Sequence, residues 1–148
     1  MKIRLLQKKD VKACAAIVGK NYNKKEERSA ALELRDMFGS GQCAPTYFVA
    51  EEKGKILGFA GIGPSWMDYS VWNIFWVNVV PGEQKRGIGK QLVARSIREI
   101  KKRKDARLIL LSARIPEYYK RHFDFKTIDL IAGEHQLMSL SINKAVNV

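Results

Sequence analysis

The segment with the clearest chemical potential runs from Val79 to Lys90 and has the sequence VVPGEQKRGIGK. It joins an apolar, β-branched stretch to an amphipathic one, and it contains Gly82, Gly87 and Gly89. Glycine allows a backbone to adopt positive φ and to approach a ligand closely. The first turn of a helix also leaves N–H groups without intrahelical partners, and the helix dipole adds positive potential there. This combination predicts a binding site for a phosphate or pyrophosphate group.

Cations surround the same glycines. Lys85, Arg86 and Lys90 lie within the segment, and ten Lys or Arg residues against two acidic residues occur between Gln84 and Arg107. The whole chain has a formal net charge of +12 at pH 7. A charge of this size favours an anionic partner, such as nucleic acid, an acidic protein or a phosphorylated cofactor.

Two common phosphate-binding motifs do not fit the segment. A P-loop continues with Lys and then Ser or Thr after its last glycine, whereas Ile88 and Gly89 occupy those positions here. The dinucleotide fingerprint needs a third glycine or an alanine, and Leu92 stands in that place.

The spacing of Gln84, Gly87 and Gly89 fits the pattern Gln/Arg-x-x-Gly-x-Gly/Ala. This is the pyrophosphate loop of the GNAT acyltransferase superfamily, and the chain resembles that family over nearly its whole length. The segment from Tyr118 to Phe125 is similar to the family's aromatic-Tyr-x-x-x-Gly-Phe sequence, although it has one extra residue and carries Asp124 in place of glycine. Aspartate tolerates left-handed backbone better than most residues do, so the turn can be kept.

The resemblance implies that acetyl-CoA is the co-substrate and that an amine acceptor attacks its thioester directly. Loop amides would hold the pyrophosphate, the strand backbone before the loop would pair with the pantetheine arm, and that strand would splay from the next one to admit the thioester. The cofactor-binding residues that the resemblance implies are Val77, Val79, Gln84, Lys85, Arg86, Gly87, Ile88, Gly89 and Lys90.

Three residues are the catalytic candidates implied by the resemblance. Tyr119 is the first candidate for the acid that protonates the leaving thiolate, and Tyr118 is the second. The N–H of Val79 would polarise the thioester carbonyl. Asn73 stands where the family commonly has a glutamate, and it cannot take a proton, so an ordered water or a neutral amine is expected instead.

Hydrophobic periodicity predicts the elements that position these residues. The predicted strands are residues 2–7, Tyr47–Glu51, Ile56–Ile62, Val71–Val80, Leu108–Leu111, Phe125–Ile131 and Gln136–Ile142. The predicted helices begin at or before Asp10, Ala30, Ile88 and Pro116. The order β-α-α-β-β-β-α-β-α-β-β predicts one α/β domain over residues 1–148, a GNAT-like mixed sheet flanked by helices.

Strand alternation and loop composition give a few aromatic expectations. Trp72, Ile74 and Trp76 should share one face of their strand. Trp66, in a glycine- and proline-containing loop, is a candidate wall of the acceptor site, and Phe38 and Tyr22 are further candidates.

Composition excludes several classes of protein. No apolar run approaches the ~20 residues of a membrane span, and the N-terminus lacks the apolar run of a signal peptide, so we expect a soluble, cytoplasmic protein. Cys14 and Cys43 suggest no disulfide framework, and with only His122 and His135 beside them no metal site is expected.

Two alternatives remain open at this level. The net charge and the Lys101–Lys104 run would suit a nucleic-acid-binding module, although no recognition motif of that kind is present and we expect no such partner. A GNAT-like domain that binds CoA without catalysis is the other. The acceptor is left open between small molecules and proteins, and the basic residues around the glycine segment favour an anionic acceptor. The resemblance is also compatible with a homodimer.

Overall fold

The computed structural model describes residues 1–142, which form one seven-stranded sheet and four α-helices. The strands are β1 Lys2–Leu5, β2 Thr46–Glu52, β3 Lys55–Pro64, β4 Val71–Val79, β5 Leu108–Ala113, β6 Lys126–Ile131 and β7 His135–Ser141. The helices are α1 Val11–Asn21, α2 Lys24–Arg35, α3 Ile88–Lys101 and α4 Pro116–Phe123. This order confirms the predicted fold. No helix in the described range is long and apolar enough to cross a membrane.

The sheet has the strand order β1-β2-β3-β4-β5-β7-β6. Only the pairing of β4 with β5 is parallel, and all the others are antiparallel. A parallel pair needs a long crossover connection, and α3 supplies it between these two strands. The loop that leads from β4 into α3 therefore lies at the centre of the sheet.

Two hydrophobic cores cover the sheet, one on each face. The α3-side core includes Leu57, Ile74, Ile88, Leu92, Ile109, Leu111, Ala113 and Met138. The α1-side core includes Val18, Ala30, Leu34, Tyr47, Val49 and Phe59. Because side chains alternate along a strand, each residue of the central strands can be assigned to one of these two faces.

A β-bulge interrupts β4 in its middle. Phe59 pairs with Asn78 and Gly61 with Phe75, so two residues of β4 stand opposite the single β3 residue between them. Trp76 is the first of these two, and its φ is +53°, which is unusual for a bulky side chain. A bulge of this kind bends a strand and redirects the side chains that follow it.

The bulge makes the expectation for the tryptophans wrong. Trp72 packs with Ile74 against the α3-side core, but Trp76 packs against the α1-side core. Strict alternation would have kept all three side chains on one face, and the extra residue at the bulge moves the Trp76 side chain to the opposite face.

Candidate functional site

A gap opens between β4 and β5. The two strands pair only at three positions, where Val71–Asn73 lie beside Leu108–Leu110. Beyond that point β4 continues to Val79 alongside β3, and β5 continues to Ala113 alongside β7. The two central strands therefore splay apart in the middle of the sheet, which gives an extended ligand access to backbone on both sides.

The backbone of β4 offers hydrogen-bonding groups to this gap. The N–H of Val80 donates to the carbonyl oxygen of Leu57 on β3 at 2.8 Å. Successive residues of a strand direct their N–H and C=O groups to opposite edges. The N–H groups of Val79 and, two residues earlier, Val77 are therefore directed to the edge that faces the gap.

The loop after β4 presents further unpaired amides. Gly82 and Gly87 have φ of +90° and +77°, and Gly87 is the N-cap of α3. The first helical bond runs from the N–H of Gln91 to the carbonyl of Gly87. Between Gln84 and Lys90, six amides have no acceptor within the described residues, and they belong to Gln84, Lys85, Gly87, Ile88, Gly89 and Lys90. The first turn of α3 has no acidic residue, so these donors have the arrangement by which helix N-termini bind anions.

The three cations of the loop differ in how they are paired. The guanidinium of Arg86 forms ion pairs of 2.9 Å with both Glu52 and Glu83. Lys85 and Lys90 are exposed and have no ion pair within the described part of the chain. The two lysines therefore carry the uncompensated positive charge beside the unpaired amides.

Helix α4 brings its two tyrosines to different depths beside the gap. A Cβ built on Gly89 would lie 4.0 Å from the Tyr118 hydroxyl and 3.7 Å from a methyl of Val79, so Tyr118 reaches across to the start of α3. Tyr119 packs edge-on against Phe125, with ring centroids 5.9 Å apart. Burial, together with smaller contributions from the neighbouring phenols of Tyr118 and Tyr22, raises the pKa of Tyr119 to about 12.

The turn after α4 keeps the geometry that the sequence suggested. Asp124 has φ +62° and ψ +26°, the left-handed conformation that glycine usually provides at the end of a helix. The N–H of Phe125 donates to the carbonyl of Tyr119 at 3.3 Å. Phe125 is thereby buried in the α3-side core and fixes the position of Tyr119.

Asn73 lies at the fork of the two strands, as the last residue of β4 that pairs with β5. Its neighbours Trp72 and Ile74 belong to the α3-side core, so Asn73 is directed to the α1 side of the sheet. On the same side, the indole N–H of Trp76 donates to the carboxylate of Glu33 on α2. The structure thus separates two sides of the gap, with α4 on one and α1 and α2 on the other.

The candidate wall residues are at the periphery. Trp66 is 84% exposed on the β3–β4 loop, and Tyr69 of that loop donates to Gln42 at 2.8 Å. Tyr22 is the residue directly after α1, while Phe38, beyond α2, is 38% exposed and lies under the ammonium of Lys8. Of these, Tyr22 is close enough to Tyr119 to influence its pKa.

Sequence reasoning missed three polar groups of the central sheet region. Glu33 accepts the hydrogen bond of Trp76 at the bulge, and only tertiary packing brings these two residues together. Ser112 on β5 and His135 on β7 form a hydrogen bond of 2.9 Å. The alternation of β5 could have placed Ser112 on the polar side, but no local pattern marks its partner. Among residues 1–142 no cluster of His, Cys, Asp and Glu is suited to a metal ion.

Comparisons with known proteins agree with this arrangement. The model of the acetyltransferase (GNAT) family matches residues 12–125. Among curated protein sequences none matches. A GNAT-family protein from Desulfovibrio desulfuricans has a similar structure, with a TM-score of 0.83, 20% identity, and coverage of 95% of this chain and 98% of that one.

Two further similar structures contain a CoA ligand. An aminoglycoside 6'-N-acetyltransferase complexed with coenzyme A has a TM-score of 0.81 at 14% identity, covering 99% of this chain and 100% of that one. A GNAT-family acetyltransferase from Brucella melitensis in complex with acetyl-CoA has a TM-score of 0.74 at 19% identity, covering 99% and 90%. At these identities the likeness concerns the fold.

Proposed function

This chain belongs to the GNAT acetyltransferase family, and from that premise we propose that it transfers the acetyl group of acetyl-CoA directly to an amine. Family membership supports acyltransferase activity in general. The CoA ligands of similar structures support a CoA thioester as the donor. The choice of acetyl, the direct attack and the residue roles below are our proposal.

One observation carries the proposal: unpaired amides continue from the β4 edge into the loop. The N–H groups of Val77 and Val79 are directed into the gap, and six unpaired amides follow between Gln84 and Lys90. An extended ligand with an amide-containing arm and a pyrophosphate at one end matches this sequence of donors. Loop amides and the charges of Lys85 and Lys90 would hold the pyrophosphate, and the β4 edge would pair with the pantetheine arm.

The chemistry needs three groups around the thioester. The N–H of Val79 would donate to the carbonyl oxygen and stabilise the negative charge that develops there. The amine nitrogen would form a bond to the carbonyl carbon, the carbon–sulfur bond would break, and the sulfur would leave as a thiolate. Tyr119 would give its phenolic proton to that sulfur, because a phenol with a raised pKa remains protonated at neutral pH.

The test combines binding with turnover. Thermal shifts with acetyl-CoA, longer acyl-CoAs and free CoA identify the donor. Release of free thiol from acetyl-CoA is then measured with spermidine, glucosamine, kanamycin and a lysine-containing peptide. Stabilisation by acetyl-CoA together with thiol release that depends on one of these amines is the expected result. Stabilisation without release by any amine would favour a CoA-binding domain without catalysis, and no stabilisation would overturn the site.

A further inference from the structure

Strand β6 forms one edge of the sheet, and no strand of residues 1–142 pairs with its outer side. All six of its residues are exposed. Its apolar residues Ile128, Leu130 and Ile131 are 53%, 71% and 41% exposed. An exposed apolar strand edge favours pairing with another chain, and soluble proteins normally protect such edges with charges or keep them short.

The opposite edge of the sheet is protected in this way. Strand β1 has only four residues, and Lys2 and Arg4 place two charges along it. Arg4 also bonds to Glu51 of the neighbouring strand β2, which ties this edge to its own chain. On β6, by contrast, neither Lys126 nor Asp129 has an ion pair within the described part of the chain. The two edges therefore differ in their capacity to accept a partner.

The backbone groups of Leu130 and Thr127 are directed to the open side of β6. The N–H of Leu130 donates to the Oδ1 of Asp129 at 2.7 Å and therefore does not point towards β7. Leu130 pairs with Gln136 and Thr127 with Met138, which are two positions apart on β7. Pairs at this spacing have the same hydrogen-bonding orientation, so the N–H and C=O of Thr127 also point outwards. A bulge lies between Thr127 and Leu130 and makes them three positions apart on β6.

We propose that two copies of this chain pair antiparallel through β6 about a twofold axis, so that the two sheets join into one. Thr127 then stands opposite the partner's Leu130, and Leu130 opposite the partner's Thr127. Each of these pairs exchanges two N–H···O bonds, so four backbone bonds close the edge. A twofold interface uses the same surface on both copies, and β6 meets this condition because its two outward residues match each other. This inference concerns assembly and does not depend on the proposed acetyl transfer.

The charges of β6 are self-complementary in this register. The β7 residues beside Lys126 and Asp129 flank Met138, which is buried in the α3-side core, so both charged side chains are directed to the α1 side. Lys126 stands opposite the partner's Ile131, and the partner's Asp129 is its diagonal neighbour. A long side chain reaches a diagonal neighbour on the same face. Two Lys–Asp contacts therefore form, one on each side of the axis, and this match favours a second copy over an unrelated strand.

Pairing changes the hydrogen bonds of Asp129. In the single chain its carboxylate accepts the N–H of Leu130. In the pair a carbonyl of the partner takes over that N–H, and the carboxylate turns to the partner's Lys126. The side chains of Ile128, Leu130 and Ile131 lose contact with water at the same time, and this burial of apolar surface drives the association.

The experiment measures the mass of the protein by sedimentation equilibrium over a range of micromolar concentrations. The wild type should approach twice the mass of one chain. Lys126→Asp brings like charges together at both contacts and should raise the dissociation constant of the dimer by about tenfold or more, and Asp129→Lys should do the same. An equal mixture of the two variants should form the dimer again, because every contact between unlike chains then joins a lysine and an aspartate.

Lys2→Asp is the matched control, because it reverses a charge on the opposite edge and should leave the dissociation constant unchanged. Hydrogen exchange gives an independent readout that needs no variant. The amides of Thr127 and Leu130 should exchange more slowly as the wild-type concentration rises. A wild type that stays monomeric overturns the inference, as does a dimer that neither β6 variant weakens. A dimer that Lys2→Asp weakens equally would also overturn it.

Discussion

The side-chain amide of Asn21 donates hydrogen bonds to the Oδ1 of Asn78 and to the carbonyl oxygen of Val79, each at 3.0 Å. The last residue of α1 is thereby fixed to the part of β4 that lines the gap. Asn78 is only 5% exposed, so its partner cannot be replaced freely by water. This contact sets the position of the N–H of Val79, to which we assign the thioester carbonyl.

Asn21→Ala is expected to lower the free energy of unfolding by about 1–3 kcal/mol, because it leaves a buried acceptor unsatisfied. It should also lower kcat, since the N–H of Val79 is no longer held. Urea denaturation and initial rates measure the two effects. The matched control is Asn23→Ala, which removes the N-cap of α2 and should cost about 1 kcal/mol while leaving kcat unchanged. Equal losses of kcat in both variants would contradict the role of Asn21.

The glycine at the start of α3 allows a sharper test of the anion site. A Cβ at Gly89 would meet its nearest atoms at 3.7 and 4.0 Å, which is ordinary contact distance. Gly89→Ala should therefore fold and bind acetyl-CoA nearly as the wild type does. Gly89→Asp should fold as well, but its carboxylate would face the unpaired amides and repel the pyrophosphate.

Acetyl-CoA at 100 times its dissociation constant should stabilise the wild type by ~2.7 kcal/mol. The same stabilisation is expected for Gly89→Ala, and none for Gly89→Asp, in a thermal-shift titration. Equal stabilisation of the aspartate variant would place the pyrophosphate elsewhere.

Local sequence was sufficient for the order of elements and for the loop. The amphipathic pattern from Ile88 to Ile100 predicted α3, and the glycines predicted its left-handed start. The bulge at Trp76 was not predictable, because it arises from a mismatch in the pairing of β3 with β4 rather than from a local signal. The pair of Ser112 with His135 was missed for a related reason, since contacts 23 residues apart depend on register.

The basic residues of the loop should differ in their contribution to cofactor affinity. Lys90→Gln should weaken acetyl-CoA binding, and the loss should shrink as salt is added, because exposed charges are screened. Arg86→Gln should weaken it less, since Glu52 and Glu83 already pair with the guanidinium. Lys101→Gln is the control at the far end of α3, ~16 Å from Lys90 at 1.5 Å per residue. Titration calorimetry at two salt concentrations distinguishes them, and an equal loss in Lys101→Gln would be inconsistent with the assigned site.

The pair of Arg4 and Asp10 should govern stability in acid. Arg4 donates to both oxygens of Asp10 at 2.7 and 3.1 Å, and this contact holds the pKa of the buried carboxyl below its ordinary value. A lowered pKa gives stability that is present above the carboxyl's unfolded-state pKa and is lost as pH falls through the folded-state pKa. Asp10→Asn should lower the free energy of unfolding by about 3 kcal/mol at pH 7. Below about pH 5 the free energy of unfolding of this variant should fall less steeply than that of the wild type. Glu117→Gln, which removes an exposed ion pair, is the control. Parallel curves of the free energy of unfolding against pH for wild type and Asp10→Asn would refute the assignment.

The general acid is tested by removing one hydroxyl at a time. Tyr119→Phe keeps the ring contact with Phe125 and removes only the proton proposed for the thiolate. It should lower kcat by about 10²- to 10⁴-fold and leave the dissociation constant of acetyl-CoA nearly unchanged, because the cofactor contacts that we propose do not include this hydroxyl. Tyr118→Phe removes a hydroxyl that lies near Gly89, so its effect should be mild and should concern binding rather than kcat.

The pH dependence separates the two tyrosines further. With a pKa of about 12, Tyr119 stays protonated through the pH range of an ordinary assay, so the wild type should show no alkaline loss from this group. In Tyr119→Phe the thiolate must leave with its charge or take a proton from water. The loss of kcat should therefore shrink when an acyl donor with a more acidic thiol replaces acetyl-CoA. A thioester of thionitrobenzoate provides that leaving group and a direct colour change. Full turnover in Tyr119→Phe with a large loss of kcat in Tyr118→Phe would move the acid to Tyr118. Full turnover in both would give the role to water.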